Sequence, residues 1–219
     1  TLFYEEDLKK EIQRDREAHG KKPLKDKDDD NSPRDSGGGT EVKETTESTV
    51  DPESGLFHKG EHKQVFAYVS QTACDKHGWI LGYSIHKGNE HDSRTFIGLY
   101  NKLKNLDIKT IVADAGYKTP AIARLLINNG IKPILPYKCP MTKEGFFKKY
   151  EYAYDEYYDC YICPNNKVLT YSTTNREGYK EYKSCGYVRS TCPYQEKCTL
   201  SKDHVMVDVR HVWEEYMEQ

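Results

Sequence analysis

The segment TIVADAGYKTPAIARLLINNG, residues 110–130, limits the fold more than any other part of the chain. Ile111, Val112 and Ala113 form an apolar run bounded by polar residues and too short for a helix, which predicts a buried strand. Asp114 stands where that strand stops, and Gly116, two residues later, permits a sharp turn. Thr119-Pro120 supplies an N-cap and first helical position, and Ala121, Ala123, Leu125 and Leu126 a helical face that Gly130 closes. A carboxylate at the carboxyl end of a sheet strand is where open α/β sheets place their chemistry. The alternative is that Asp114 simply caps its own turn.

Around this unit, 219 residues allow one sizeable domain with appendages, and 31% charged residues imply that part of the chain stays out of any core. A net charge of −2 argues against a freestanding basic DNA-binding module. The sequence has no apolar run of membrane-spanning length and no signal-peptide pattern, so a soluble, cytoplasmic protein with no membrane partner is expected. Seven cysteines without a secretion signal read as thiols or metal ligands.

Residues 1–20 predict a helix with an intermittent stripe of Leu2, Phe3, Leu8 and Ile12; no initiator methionine precedes it, as expected of a fragment. Residues 21–50 combine a charge run with a Gly triplet and few apolar side chains, the composition of a disordered linker, with Asp28–Asp30 a solvated acidic run. From residue 51 to 138 the order is β-hairpin (Val65–Thr72, turn Asp75–Gly78, Trp79–Ile85), a helix capped by Asp92 or Ser93 and burying Phe96, Ile97, Leu99 and Leu103, then β, helix, β. That order implies a mixed α/β sheet with helices packed on it. Residues 139–219 hold most of the tyrosines and cysteines, and alternation in YEYAYDEYYDCYIC predicts a small β-rich insertion whose strands have one wet face. The tail HVMVDVRHVWEEYMEQ starts strand-like and ends in a helix.

STVDPESGLFHKGEHKQVFAYVSQTACDKHG, GNEHDSRTF, VADAGYKTPAIARLL and ILPYK, followed by YICPNNKVLTYSTTNREGYKEYKS and CPYQEKC, together resemble the DDE-type transposases of bacterial insertion sequences. The resemblance is to the group with a cysteine-containing late segment, and in this order the motifs cover nearly the whole chain. It implies an incomplete RNase H-like domain acting in metal-dependent DNA cleavage and strand transfer. It further implies Mg²⁺ held by two Asp and one Glu, with transposon ends and target DNA as partners, and self-association. Hard oxygen ligands suit Mg²⁺. Asp114 occupies the family's second, Asp-Ala-Gly-Tyr position.

The other two carboxylates are missing. No Asp-Gly-Thr precedes the hairpin, and Asp51 in TVDPESG is the nearest substitute. Arg210 and Glu214 match only part of the family's late Tyr-x2-Arg-x3-Glu-x6-Lys pattern. The chain is therefore expected to be inactive alone. His91 and Asp92 recur in the resemblance at the start of a helix, where Asp92 reads as an N-cap.

Cys160-x2-Cys163 followed by Cys192-x5-Cys198 suits tetrahedral Zn²⁺, with Cys185 as a substitute for Cys160; reduced thiols are the alternative. Cys74 and Cys139 have no evident partner. The tyrosines either pack a small domain or stack on unpaired bases. Lys138, Lys143, Lys148 and Lys149 form either a phosphate-binding patch or a solvated face. Two further readings stay open: a non-catalytic zinc-stabilised module that binds nucleic acid or protein, and a hydrolytic nuclease on the same fold.

Overall fold

The computed structural model describes residues 3–24, 46–59, 63–137, 140–187 and 192–218. The linker expected over 21–50 falls mostly on 25–45, outside the described residues, as do Lys138 and Cys139. The described residues fall into two compact units, 46–136 in one and 3–24 with 137–218 in the other. No helix among them is long and apolar enough to cross a membrane.

The first unit is α/β. Strands β1 (Gly55–Lys59), β2 (Lys63–Cys74) and β3 (Ile80–Lys87) form an antiparallel sheet in the order β1-β2-β3. The β2–β3 turn follows its sequence signal. Asp75 Oδ1 accepts the N–H groups of His77 and Trp79, and Gly78 takes φ +86°, where an L side chain would be strained. Helix α2 (Asp92–Leu103) covers one face of this sheet with Phe96, Leu99, Tyr100 and Leu103 buried. Its apolar spacing of three and four residues makes that stripe.

Strand β4 (Thr110–Val112) and strand β5 (Lys132–Ile134) pair in parallel and are joined by helix α3 (Pro120–Asn128), as a parallel pair requires. Thr119 Oγ1 accepts the Ile122 N–H, Pro120 opens α3, and Gly130 follows it at φ +71°. Ala121, Ile122, Ala123 and Leu126 are buried. Strand β1 has no counterpart in the sequence reading: GLFHK is a short edge strand with no clean alternation, and its pairing to β2 defines it.

In the second unit β6 (Ala153–Asp155), β7 (Cys160–Ile162), β8 (Val168–Thr174), β9 (Tyr179–Ser184) and β10 (Val207–His211) form an antiparallel sheet in the order β10-β9-β8-β7-β6. A short helix α4 (Glu215–Glu218) follows. The core is largely tyrosine: Tyr152, Tyr161 and Tyr182 bury with Cys163 and Leu169. Helix α1 (Glu5–Ala18) packs on β8. It docks mainly through polar groups. Arg16 donates to Thr173 Oγ1 at 2.7 Å and to the Thr174 carbonyl at 2.8 Å, Lys180 pairs with Asp15 at 2.8 Å, and His19 stacks on Tyr171.

Candidate functional site

Asp114 lies two residues beyond β4, at the carboxyl end of the parallel pair. It is exposed, and it caps a short 3-10 turn, Ala115–Tyr117, through Oδ1, which accepts the Gly116 N–H at 2.8 Å. The capping reading of Asp114 is therefore correct as far as it goes. The cap occupies Oδ1 and leaves the second carboxylate oxygen out of that bond.

Asp92 is not the N-cap of α2. That place belongs to His91, whose Nδ1 accepts the Ser93 N–H at 3.2 Å. Asp92 is the first helical residue, where a negative charge is favoured by the helix dipole. Its side chain reaches toward the 3-10 turn. A Cβ built on Gly116 would lie 2.8 Å from Asp92 Oδ2 and 3.1 Å from Asp114 Oδ1. Gly116 is absent from the positive-φ residues, so the turn does not need its backbone freedom. It needs the missing side chain, because two carboxylates converge on that space.

Tyr117 stands beside them, edge-on to Phe96 with ring centroids 5.9 Å apart. Burial, then the negative fields of Asp92 and Asp114, push its hydroxyl up to about 12. Under the first turn of α2, the buried Gln71 amide donates to the Asp92 carbonyl at 3.2 Å and to Thr95 Oγ1 at 2.6 Å. An open groove of about 610 Å³ beside this helix start is lined by Lys87, Asn89, Glu90, His91, Ser93 and Arg94.

Residues 39–205 match the family described as Transposase DDE domain. The chain belongs to that family. Membership in the transposase DDE domain family ties it to transposition-related DNA cleavage. No curated protein and no solved structure matches the chain.

Asp51 and Glu214, which match the family's acidic positions only in part, each have local partners of their own. Asp51 precedes β1, and both its oxygens lie 2.9 Å from the Tyr68 hydroxyl. Glu214 follows β10, and Arg210 forms its bidentate pair with Glu218 instead, at 2.7 and 2.9 Å. Among the described residues, no three His, Cys, Asp or Glu side chains form a metal-binding group.

Cys160, Cys163 and Cys198 are buried and Cys192 is half-buried, while Cys185 and Cys74 are exposed. Cys163 packs with the tyrosine core, and its Sγ accepts the Lys167 N–H at 3.4 Å. Asn165, in the same turn, donates to Cys192 Sγ at 3.4 Å. Burial, Asp155 and Asp159 push the Cys160 thiol up, which opposes a thiolate there. Tyr150, Tyr157, Tyr158 and Tyr187 are exposed. Lys148 lies 5.7 Å from the Tyr150 ring centroid, and Lys149 donates to the Val209 carbonyl at 2.9 Å.

Proposed function

We propose that residues 51–138 belong to an RNase H-like catalytic core for metal-dependent DNA cleavage and strand transfer, and that Asp114 is one of its acidic metal ligands. Transposon ends and target DNA are the partners, with self-association. The observation that carries this reading is the carboxylate of Asp114 at the carboxyl end of β4, sharing the space above Gly116 with Asp92. Antiparallel β1–β3 followed by the parallel β4–α3–β5 unit supports the core assignment. The donor chemistry fits a hard divalent cation such as Mg²⁺, since both groups are carboxylates and the gap between them holds no side chain. When bound, such ions activate the attacking hydroxyl and stabilise the leaving oxygen. This chain's own contribution is to hold a carboxylate in place: the Gly116 N–H fixes Asp114 Oδ1, and α3 fixes the turn that follows. Lys87 and Arg94 in the adjoining groove offer cations to a DNA phosphate.

Replacing Mg²⁺ with Fe²⁺, in ascorbate and peroxide, tests the assignment by cutting the backbone next to the bound ion. Fragments ending near residues 92 and 114, absent from Asp114→Asn, are expected; cuts unaffected by that substitution would refute it. We also propose that the chain alone is inactive, because one acidic motif position of three is filled. Supercoiled plasmid should stay intact with Mg²⁺ or Mn²⁺, and nicking that vanishes in Asp114→Asn would contradict this.

A second reading, a small β-rich insertion stabilised by Zn²⁺ that binds nucleic acid or protein, is favoured by the hydrogen bonds to Cys163 and Cys192 around the 163–167 turn. The sequence spacing adds Cys160 and Cys198 to that set, although the four do not form a metal-binding group among the described residues. Stoichiometric zinc in the purified chain, lost in Cys163→Ser and Cys192→Ser, is the expected result. Zinc-free, well-folded protein would end that reading.

A further inference from the structure

Asp92 stands apart from the expected acidic positions, yet two features draw it to Asp114, and a third fixes its main chain. Capping of α2 is done by His91, so the Asp92 carboxylate is not consumed by the helix start. Gly116 has an ordinary negative-φ backbone, and the space its missing side chain leaves is bounded by Asp92 Oδ2 and Asp114 Oδ1. Gln71, 3% exposed, holds the main chain of Asp92 through its amide nitrogen, while its Oε1 has no hydrogen-bond partner among the described residues. Two like charges across a gap one carbon atom would fill repel each other unless a cation lies between them.

We propose that Asp92 is a positioning residue of the Asp114 site, its carboxylate facing Asp114 across the gap kept open by Gly116, so that the two together hold one divalent cation. This rests on the reading of Asp114 as a metal ligand and adds a partner that the family's acidic motif does not include. Asp92 acts on the ion or on its water shell. Its attachment to the first turn of α2 and to Gln71 fixes the carboxylate independently of the turn that carries Asp114. A cation site supported from two separate elements has a defined position before the ion arrives.

The test measures Mn²⁺ affinity of the full chain from the electron paramagnetic resonance signal of the free ion. Asp92→Asn should weaken binding by about tenfold or more, the range for groups that orient a metal ligand. Asp114→Asn should weaken it further. Gly116→Ala should mimic Asp92→Asn, because the added Cβ occupies the gap. Circular dichroism checks that each variant keeps its helices; Asp92→Asn leaves the His91 cap in place. Unchanged affinity in Asp92→Asn with weakened Asp114→Asn would overturn this inference and leave the Asp114 assignment standing. Unchanged affinity in both variants, or no Mn²⁺ binding by the parent chain, would overturn the two together.

Discussion

Asp159 and Asp114 each end a short strand or turn, and their surroundings are opposite. Asp159, held at φ +45° in the β6–β7 connection, accepts from the Tyr154 hydroxyl at 2.6 Å and the Tyr182 hydroxyl at 2.5 Å, and contacts His19 Nε2 at 2.7 Å. These hydrogen bonds outweigh the upward push of burial and hold its carboxyl below the usual range. Asp114 takes one main-chain N–H and faces a second carboxylate. The first is a carboxylate whose lone pairs are filled by the protein, so it stabilises the fold. The second caps its own 3-10 turn through one oxygen and lies next to like charge, with no side-chain hydrogen bond to it among the described residues.

The comparison breaks most easily at Asp159. Asp159→Ala should destabilise residues 137–218 by about 3 kcal/mol, since it strands the fully buried Tyr182 hydroxyl and releases His19 of α1. Asp114→Asn and Asp92→Asn should leave stability within about 0.5 kcal/mol of the parent or raise it, because they remove repulsion and no buried partner. Urea denaturation of the three variants checks both statements. Equal destabilisation by Asp159→Ala and Asp114→Asn would erase the distinction.

Acid sharpens the same contrast. His211 is buried and neutral, its Nδ1 accepting the Trp213 N–H, and burial lowers its pKa to about 4. An unfolded histidine binds its proton near pH 6.5, so the unfolded state holds more protons between pH 6.5 and 4. The unit carrying β6–β10 should therefore lose stability as pH falls through that window. A further loss should follow below the ordinary carboxylate range as Asp159 protonates, since its folded pKa is depressed. Thermal melts followed by tyrosine near-ultraviolet signal test this. His211→Asn should flatten the upper part of the dependence, and an unaltered slope in that variant would count against the histidine.

A modest steric effect is expected at Gly116. Gly116→Ala should cost about 1 kcal/mol, because the Asp92 side chain must move while the backbone φ is acceptable to alanine. A cost of several kcal/mol would mean that the glycine is required by the backbone after all.

Local signals were read correctly where the chemistry is local. The Asp75–Gly78 turn, the Thr119-Pro120 helix start and the Gly130 stop each depend on side chains a few residues from the main chain they bond. The docking of α1 is not legible from hydrophobic periodicity, because among the described residues of its stripe only Ile12 is buried, and Asp15, Arg16 and His19 supply polar contacts to the sheet. The acidic pair escaped for a different reason. Asp92 looks like a cap because it opens a helix, and the role proposed for it depends on β4 and the 3-10 turn arriving beside it. The one signal within the sequence is Gly116 itself, which lies in the expected turn and also leaves the space that Asp92 and Asp114 approach.

A divalent cation should go to the unsaturated carboxylate of Asp114 and not to the saturated one of Asp159. Mn²⁺ titrated into ¹⁵N-labelled protein reports this directly, since it broadens amide resonances close to where it binds. The amides of Ala115, Gly116 and Tyr117, with those of Asp92 and Ser93, should broaden first, and those flanking Asp159 should stay sharp. Broadening centred on Asp159 and Cys160, or spread evenly over acidic surface residues, would contradict the account.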